Sequence, residues 1–403
     1  MNKKIILKTI FLFSGLVTVP ILATSCGTND NQNHYVFALS TPANLGDATK
    51  FATDIQQTFN NLKNQSEYSD YKDLDDITIS VTNVDDNKAK KDLIENGTAD
   101  FAFLTSKIIT QDNFYQQVNS KIQTLTTAFT FDKNINDEYV NGKFDDTNQT
   151  DNDPLRTIAN EMQKASFGLN YEYPFSTWKD GENGEPGTPP IYGWNGIRYN
   201  AFYDVNSLIS GYRGMIFLSG TDEKINQAVD AWNSQDWESF RNLGIVVGDE
   251  TSAGTYLLQE QLIKKHFNKD NNWTLAQDRK DNQEKYDLDS YGSSKTADPN
   301  YTIYFTDEGS FAWTHNDGKS ADFSTEENGK IKILTSTNPA IYDVGVFSKN
   351  VDQKVADLLS ESIVYLYKTN NNLYGEGLGY NGYQLIKDVE KEVITPMKLG
   401  LGI

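Results

Sequence analysis

Cysteine and histidine are scarce in this chain of 403 residues, which holds one cysteine and three histidines. The single cysteine, Cys26, excludes a disulfide within the chain and a zinc site built from several cysteines. The histidines, His34, His266 and His315, stand far apart in the sequence, which disfavours a histidine-based metal centre. The composition therefore points away from disulfide-rich scaffolds and from zinc enzymes.

Basic residues are also few: 36 lysines and arginines stand against 56 acidic residues, for a formal net charge of −20. Nucleic-acid binding needs basic side chains that replace phosphate counterions, so we expect no nucleic-acid partner. The same charge disfavours adsorption to an anionic membrane surface. With 37% hydrophobic and 23% charged residues the chain is globular, and its length suits two domains of roughly 150–200 residues each.

Motifs of common enzyme classes are missing as well. The sequence has no GxSxG or HExxH string and no paired histidines. Residues 377–382 match GxGxxG, but they follow a predicted helix instead of a strand, so a dinucleotide site is not expected. A surface hydrolase stays as an alternative only through Ser252, which a distant histidine could reach in the fold. We therefore predict neither an enzyme nor a bound cofactor.

The amino-terminal segment has the pattern of an export signal. Residues 1–25 carry lysines and no acid, and include an apolar stretch at 10–22 that is too short for a membrane span. Small residues then precede Cys26 as in a bacterial lipobox, where a peptidase cuts before the cysteine and the thiol receives a diacylglyceryl anchor. We predict a signal peptide over 1–25, a polar tether over 26–33 and a location on the outer face of the cell membrane. A core cysteine is the alternative.

Strand and helix patterns alternate in the first third of the folded part. Apolar strands at 35–40, 77–81 and 99–104 are separated by amphipathic helical segments, which predicts an α/β fold with a parallel sheet. Ligands bind outside the carboxyl ends of such strands. The candidates at those ends are Ser40, Thr105 and Ser106. At the other end of the chain we predict helices over 355–368 and 384–397.

A second unit joins a strand at 244–248 to a helix at 256–267 through the turn 249–255. The free N–H groups at a helix start, together with nearby hydroxyls, can bind an oxyanion. The alternative is ordinary capping of the helix by Thr251 or Ser252. The candidate residues of this turn are Thr251, Ser252, Gly254 and Thr255.

The turn 249–256 resembles the phosphate-binding turn of phosphonate-binding periplasmic proteins. A closer resemblance is to the mycoplasmal high-affinity transport lipoproteins, described as extracytoplasmic thiamine-binding lipoproteins. It covers essentially the mature chain and is strongest from about residue 192 onward. The strings that carry it are 212–216, 236–237, 240–242, 308–316, 338–339, 342–347 and 378–383.

The resemblance implies a two-lobed, Venus-flytrap fold of the periplasmic-binding-protein type II class with the ligand between the lobes. Lobe one is expected over 34–211 and 337–403 and lobe two over 212–336, because the chain crosses near Tyr212 and near Asn338. The implied function is binding of thiamine pyrophosphate or thiamine by a monomer that hands it to an ABC permease. A Ca²⁺ or Mg²⁺ ion accompanying the phosphates is left open. A phosphonate or phosphate-ester receptor and a surface adhesin are the alternatives.

The resemblance also implies the side chains that hold the ligand. Aromatic rings and carboxylates suit the thiazolium cation of thiamine, although each ring taken singly could belong to the core. Arg213 could bind a phosphate or form a structural salt bridge. The candidate aromatic side chains are Trp178, Trp194, Tyr212, Trp313 and Tyr342. The candidate carboxylate is Glu308 or Asp343. Ser310 and Asn338 are the remaining candidate ligand-binding residues.

Overall fold

The computed structural model describes residues 33–43, 45–143, 153–172, 174–175, 202–289, 294–314 and 322–402. Two β-sheets organise this part of the chain. Strands of the first sheet are β1 (His34–Leu39), β2 (Thr78–Asn83), β3 (Phe101–Leu104), β4 (Val118–Phe129), β5 (Tyr203–Ile209), β11 (Val344–Ser348) and β12 (Gly382–Leu385). Strands of the second are β6 (Gly211–Gly220), β7 (Ile245–Val247), β8 (Tyr286–Leu288), β9 (Ile303–Asp307) and β10 (Lys330–Ile341).

Helices pack against both sheets. They are α1 (Ala48–Leu62), α2 (Asn87–Glu95), α3 (Ser106–Thr110), α4 (Pro154–Ser166), α5 (Asp222–Asn233), α6 (Trp237–Asn242), α7 (Leu258–His266), α8 (Leu275–Asp281), α9 (Ser310–Thr314), α10 (Gln353–Lys368), α11 (Leu373–Glu376) and α12 (Thr395–Leu401). In α1 the Asp47 side chain accepts a hydrogen bond from the Lys50 N–H, and Phe51, Ile55 and Phe59 are buried along one face. None of the helices in the described ranges combines the length and the hydropathy that crossing a membrane requires.

The parallel centre predicted for the first sheet is confirmed, since β1 pairs in parallel with both β2 and β3. The sheet order is β12-β4-β11-β3-β1-β2, and β5 pairs with β4. The helix predicted over 384–397 is wrong at its start, because β12 there pairs antiparallel with β4. Tyr383 of β12 buries its ring against Phe103, with centroids 5.7 Å apart, and this packing stabilises the strand.

The second sheet has the order β10-β6-β9-β7-β8. The chain passes from the first sheet to the second between β5 and β6 and returns between β10 and β11, next to the predicted crossings. Helix α4 lies within 34–211, yet it packs against β10 of the second sheet. The Ser336 hydroxyl donates to the Leu155 carbonyl oxygen and fixes that contact. The exact lobe boundaries therefore stay predictions.

A buried histidine ends α7 in the second sheet's layer. The His266 ring stacks on Trp232 with centroids 3.7 Å apart, and its Nε2 lies 2.8 Å from the Trp232 carbonyl oxygen. Its Nδ1 lies 3.0 Å from the Tyr139 hydroxyl, so both ring nitrogens are engaged. Burial lowers the pKa of His266 to about 4, because the protonated ring would lose its hydration.

This histidine predicts a loss of stability in mild acid. The unfolded chain binds a proton at His266 near its ordinary pKa of 6.5, whereas the folded chain does so only near 4. The free energy of unfolding should therefore fall as the pH drops from about 6.5 to about 4. Urea unfolding at several pH values should show a shallower fall for His266→Gln. The exposed His34→Gln is the matched control, and equal pH slopes for the two variants would contradict the prediction.

Candidate ligand-binding site

Two tyrosines meet where the chain crosses between the sheets. Tyr212 belongs to β6, and Tyr342 stands in the short link between β10 and β11. Their ring centroids are 5.3 Å apart and the ring planes are inclined by 34°. Both residues are half-buried. The structure thus brings together two of the predicted ring candidates.

Tyr342 also lines a cavity of about 540 Å³ on the side of the first sheet. This volume lies in the range of small-molecule sites. Most of the lining is apolar or aromatic, which suits a flat ring system more than a bare anion. The lining residues are Thr126, Thr127, Phe129, Tyr203, Val205, Tyr342, Leu378, Gly379, Tyr380 and Asn381.

Carboxyl groups stand beside the tyrosine pair. Asp307 ends β9 and accepts the Gly309 N–H at 2.8 Å, and Asp343 accepts the Tyr380 hydroxyl at 2.5 Å. Burial raises the pKa of both carboxyl groups. Neither forms an ion pair with a described residue, so a bound cation would supply the close counter-charge that favours the ionised form of both carboxyl groups. Elsewhere, too, the described residues hold no group of three His, Cys, Asp or Glu side chains arranged for a metal ion.

Arg213 lies fully buried below this site. Its Nε donates to Asp132 Oδ2 at 2.7 Å, and its terminal nitrogens donate to three backbone carbonyl oxygens. Glu308 is buried beside the pair, and burial and the Asp132 charge raise its pKa well above the ordinary value. This geometry favours the salt-bridge alternative for Arg213 over a phosphate contact. Glu308 belongs to the same buried cluster as Arg213 and Asp132. Of the two candidate carboxylates, Asp343 is therefore the more accessible one.

The turn after β7 is held by its own hydroxyls. Ser252 Oγ accepts the Thr255 N–H at 3.3 Å and the Thr255 hydroxyl at 2.8 Å. The Thr251 N–H and hydroxyl both donate to Asp249 Oδ1. Ser252 thus caps the helix, as the capping alternative expects, and hydrogen bonds within the turn engage the hydroxyls of Thr251 and Thr255. A π-helical turn, Ala253–Leu257, then leads into α7.

Gly254 places the start of that helix against the site. A Cβ at this position would lie 3.1 Å from the Asp307 Cβ and 3.5 Å from the Tyr212 ring. Across from the turn, Lys107 Nζ of α3 donates to the Thr251 carbonyl oxygen at 3.0 Å, which joins the two sheets' loops. The helix start, the tyrosines and Asp307 thus share one surface.

The remaining candidates lie at different places. The Ser106 hydroxyl donates to the Ile341 carbonyl oxygen, and Asn338 bonds the Leu399 carbonyl oxygen and the Tyr139 N–H, so both hold the crossing segments. Thr105 follows β3 and precedes α3, and Ser310 is buried at the start of α9. Helix α9 includes Trp313, whose side chain is outside the description, and Cys26, Trp178 and Trp194 lie outside the described residues.

Sequence reasoning did not select Asp307, Tyr380 or Lys90, a buried lysine of α2 whose charge acts on Asp343. Asp307 is the last residue of β9 and precedes Glu308, so its place at a strand end is a usable signal. Tyr380 lies in the GxGxxG match of residues 377–382, where the sequence predicts no dinucleotide site. Lys90 sits on a helix with other lysines, and nothing in that pattern distinguishes it.

Comparison with known proteins identifies the family. Residues 49–402 match the family model CypI, described as extracytoplasmic thiamine-binding lipoprotein. The chain belongs to this family. It is therefore an outward-facing, membrane-anchored substrate-binding protein of a transport system and not an enzyme, as predicted. A permease partner and a small-molecule ligand follow from that role.

Three p37 comparisons show how far the similarity extends along this lipoprotein. High affinity transport system protein p37 of Mesomycoplasma hyorhinis is 35% identical over 348 residues, 85% of this chain and 80% of that protein. The Mycoplasma pneumoniae p37 is 32% identical over 98% of both chains. The solved structure of Mycoplasma hyorhinis Mh-p37, for which thiamine pyrophosphate transport is proposed, aligns with a TM-score of 0.73 and 32% identity over 92% of this chain and 99% of that one. The two-lobed fold class is confirmed.

Proposed function

We propose that this lipoprotein binds thiamine pyrophosphate or thiamine between its lobes and delivers it to an ABC permease. The observation that carries the proposal is the Tyr212–Tyr342 ring pair beside the desolvated carboxyl groups of Asp307 and Asp343. The thiazolium ring is cationic, and cations bind favourably to aromatic faces and to carboxylates in a site of low polarity. The apolar cavity beside Tyr342 would take the pyrimidine ring.

The phosphate tail would bind at the helix start after β7. The first N–H groups of a helix lack partners within it and attract anions. Gly254 lets this helix start pack close to Asp307 and Tyr212, which brings the N–H groups next to the ring site. Lobe one (34–211 and 337–403) and lobe two (212–336) would close on the ligand, and a lipid on Cys26 would hold the monomer at the membrane.

Isothermal titration calorimetry on the purified lipoprotein in detergent tests this function. Thiamine pyrophosphate, thiamine and a small alkyl phosphonate are titrated separately, each with and without Mg²⁺ or Ca²⁺. We expect submicromolar binding of thiamine pyrophosphate and much weaker binding of the phosphonate, which lacks the rings. A preference for the phosphonate would overturn the assignment of the ring site. Binding of none of the three would favour the adhesin alternative.

A further inference from the structure

A buried lysine stands at the carboxyl end of the first sheet. Lys90 of α2 is 3% exposed, and its Nζ lies 2.5 Å from Ser40 Oγ and 3.4 Å from the Phe103 carbonyl oxygen. Ser40 follows β1 and Phe103 belongs to β3, the two central parallel strands. Ligands of parallel sheets bind at this edge.

No carboxylate of the described residues lies within ion-pair distance of the Lys90 ammonium. Three acids face it from farther away: Asp343, Asp85 and Asp86. Each of these carboxylates already accepts a hydrogen bond from a nearer donor. Asp343 accepts the Tyr380 hydroxyl at 2.5 Å, Asp85 the Thr41 N–H at 2.8 Å, and Asp86 the Ala89 N–H at 2.7 Å. Burial lowers the pKa of Lys90, as expected for a cation that has lost water without gaining a close counter-charge.

The chemistry of this lysine fits an anionic group of a ligand. An ammonium carries three donors, and in this structure neutral oxygens take two of them. A phosphate oxygen would supply both the third acceptor and the missing negative charge. The half-buried Ser40 hydroxyl beside it offers a second polar contact from the same wall.

We infer that Lys90 and Ser40 bind the phosphate groups of the ligand from lobe one, opposite the helix start after β7. Lys90 then sets the preference for phosphorylated over unphosphorylated thiamine. This inference rests on the proposed function, because it assigns one part of that same ligand. The competing role for Lys90 is structural, as a distant counter-charge for Asp343, Asp85 and Asp86.

The test compares Lys90→Met with Lys88→Met in the purified lipoprotein. Lys88 lies on the same helix and its side chain is 77% exposed, so the control makes the same charge change at the surface. Thiamine pyrophosphate, thiamine and inorganic pyrophosphate are titrated by calorimetry. For Lys90→Met we expect thiamine pyrophosphate and pyrophosphate to bind about tenfold to a hundredfold more weakly, with thiamine changed by less than about threefold. Lys88→Met should leave all three unchanged.

A structural role would weaken thiamine and thiamine pyrophosphate alike, and an unchanged ratio of the two affinities in Lys90→Met would overturn the inference. Wild-type protein that binds neither pyrophosphate nor any phosphorylated form would overturn it too. A third outcome separates this inference from the proposed function. If the wild-type protein binds pyrophosphate but no form of thiamine, and Lys90→Met abolishes that binding, the anion site is supported and the thiamine-binding function is overturned. If Lys90→Met fails to fold, Ser40→Ala replaces it, and a selective loss of thiamine pyrophosphate affinity is again the supporting result and an unchanged ratio the opposing one.

Discussion

Replacing Arg213 by leucine should lower the free energy of unfolding by about 3–5 kcal/mol. The reason is the fully buried position of its ion pair with Asp132, in which both side chains are screened from water. Leucine would leave the Asp132 carboxylate without a counter-charge next to Glu308, a second buried acid. It would also remove the donors of three backbone carbonyl oxygens, those of Asn134, Asp137 and Thr337.

Urea unfolding monitored by tryptophan fluorescence measures this effect. Lys133→Leu is the control, because it breaks the more exposed Lys133–Asp204 pair and should change stability by less than about 1 kcal/mol. In the double variant Arg213→Leu/Asp132→Leu, part of the lost stability should return, since the buried Asp132 carboxylate is then removed together with its counter-charge. A stable Arg213→Leu protein that loses only affinity for thiamine pyrophosphate would instead show that Arg213 binds the phosphate.

The second large effect is expected at Tyr342. Leucine in its place should weaken thiamine binding by about 30-fold to 100-fold, because a buried aromatic face contributes about 2–3 kcal/mol to holding a desolvated cation. Phenylalanine keeps the ring and removes the hydroxyl, which bonds Thr126. Tyr342→Phe should therefore stay within about fivefold of the wild-type affinity.

Calorimetric titration with thiamine separates these variants. Tyr365→Leu, at a tyrosine 40% exposed on α10, is the matched control for removing a ring away from the site. Thermal unfolding of each variant shows whether the fold is retained. Equal losses for the leucine and phenylalanine variants would mean that the hydroxyl, and not the aromatic face, binds the ligand.

Local sequence patterns predicted the secondary structure of those segments whose conformation depends on their own residues. The strand–helix–strand order from β1 to β3 follows from apolar runs alternating with an amphipathic helix such as α1, and the structure has these elements. The helix predicted over 384–397 begins inside strand β12, wrongly, because the conformation there depends on pairing with β4, more than 250 positions earlier in the chain. The cavity beside Tyr342 was not predictable either, since its walls come from β4, β5 and the loop after α11.

The sequence by itself determined the α/β class, the family and the positions where strands end. These properties depend on short-range periodicity and on continuous sequence motifs such as 308–316 and 342–347, which can be recognised without knowledge of the fold. Only the tertiary structure decided which charged side chains are paired within the protein and which remain able to bind a ligand. Arg213 is neutralised by Asp132, 81 positions away, whereas the close partners of Lys90 are two neutral oxygens, the Ser40 hydroxyl, 50 positions away, and the Phe103 carbonyl. Because a buried charge acts through whatever neighbours the fold brings to it, one cation stabilises the protein and the other can bind a ligand.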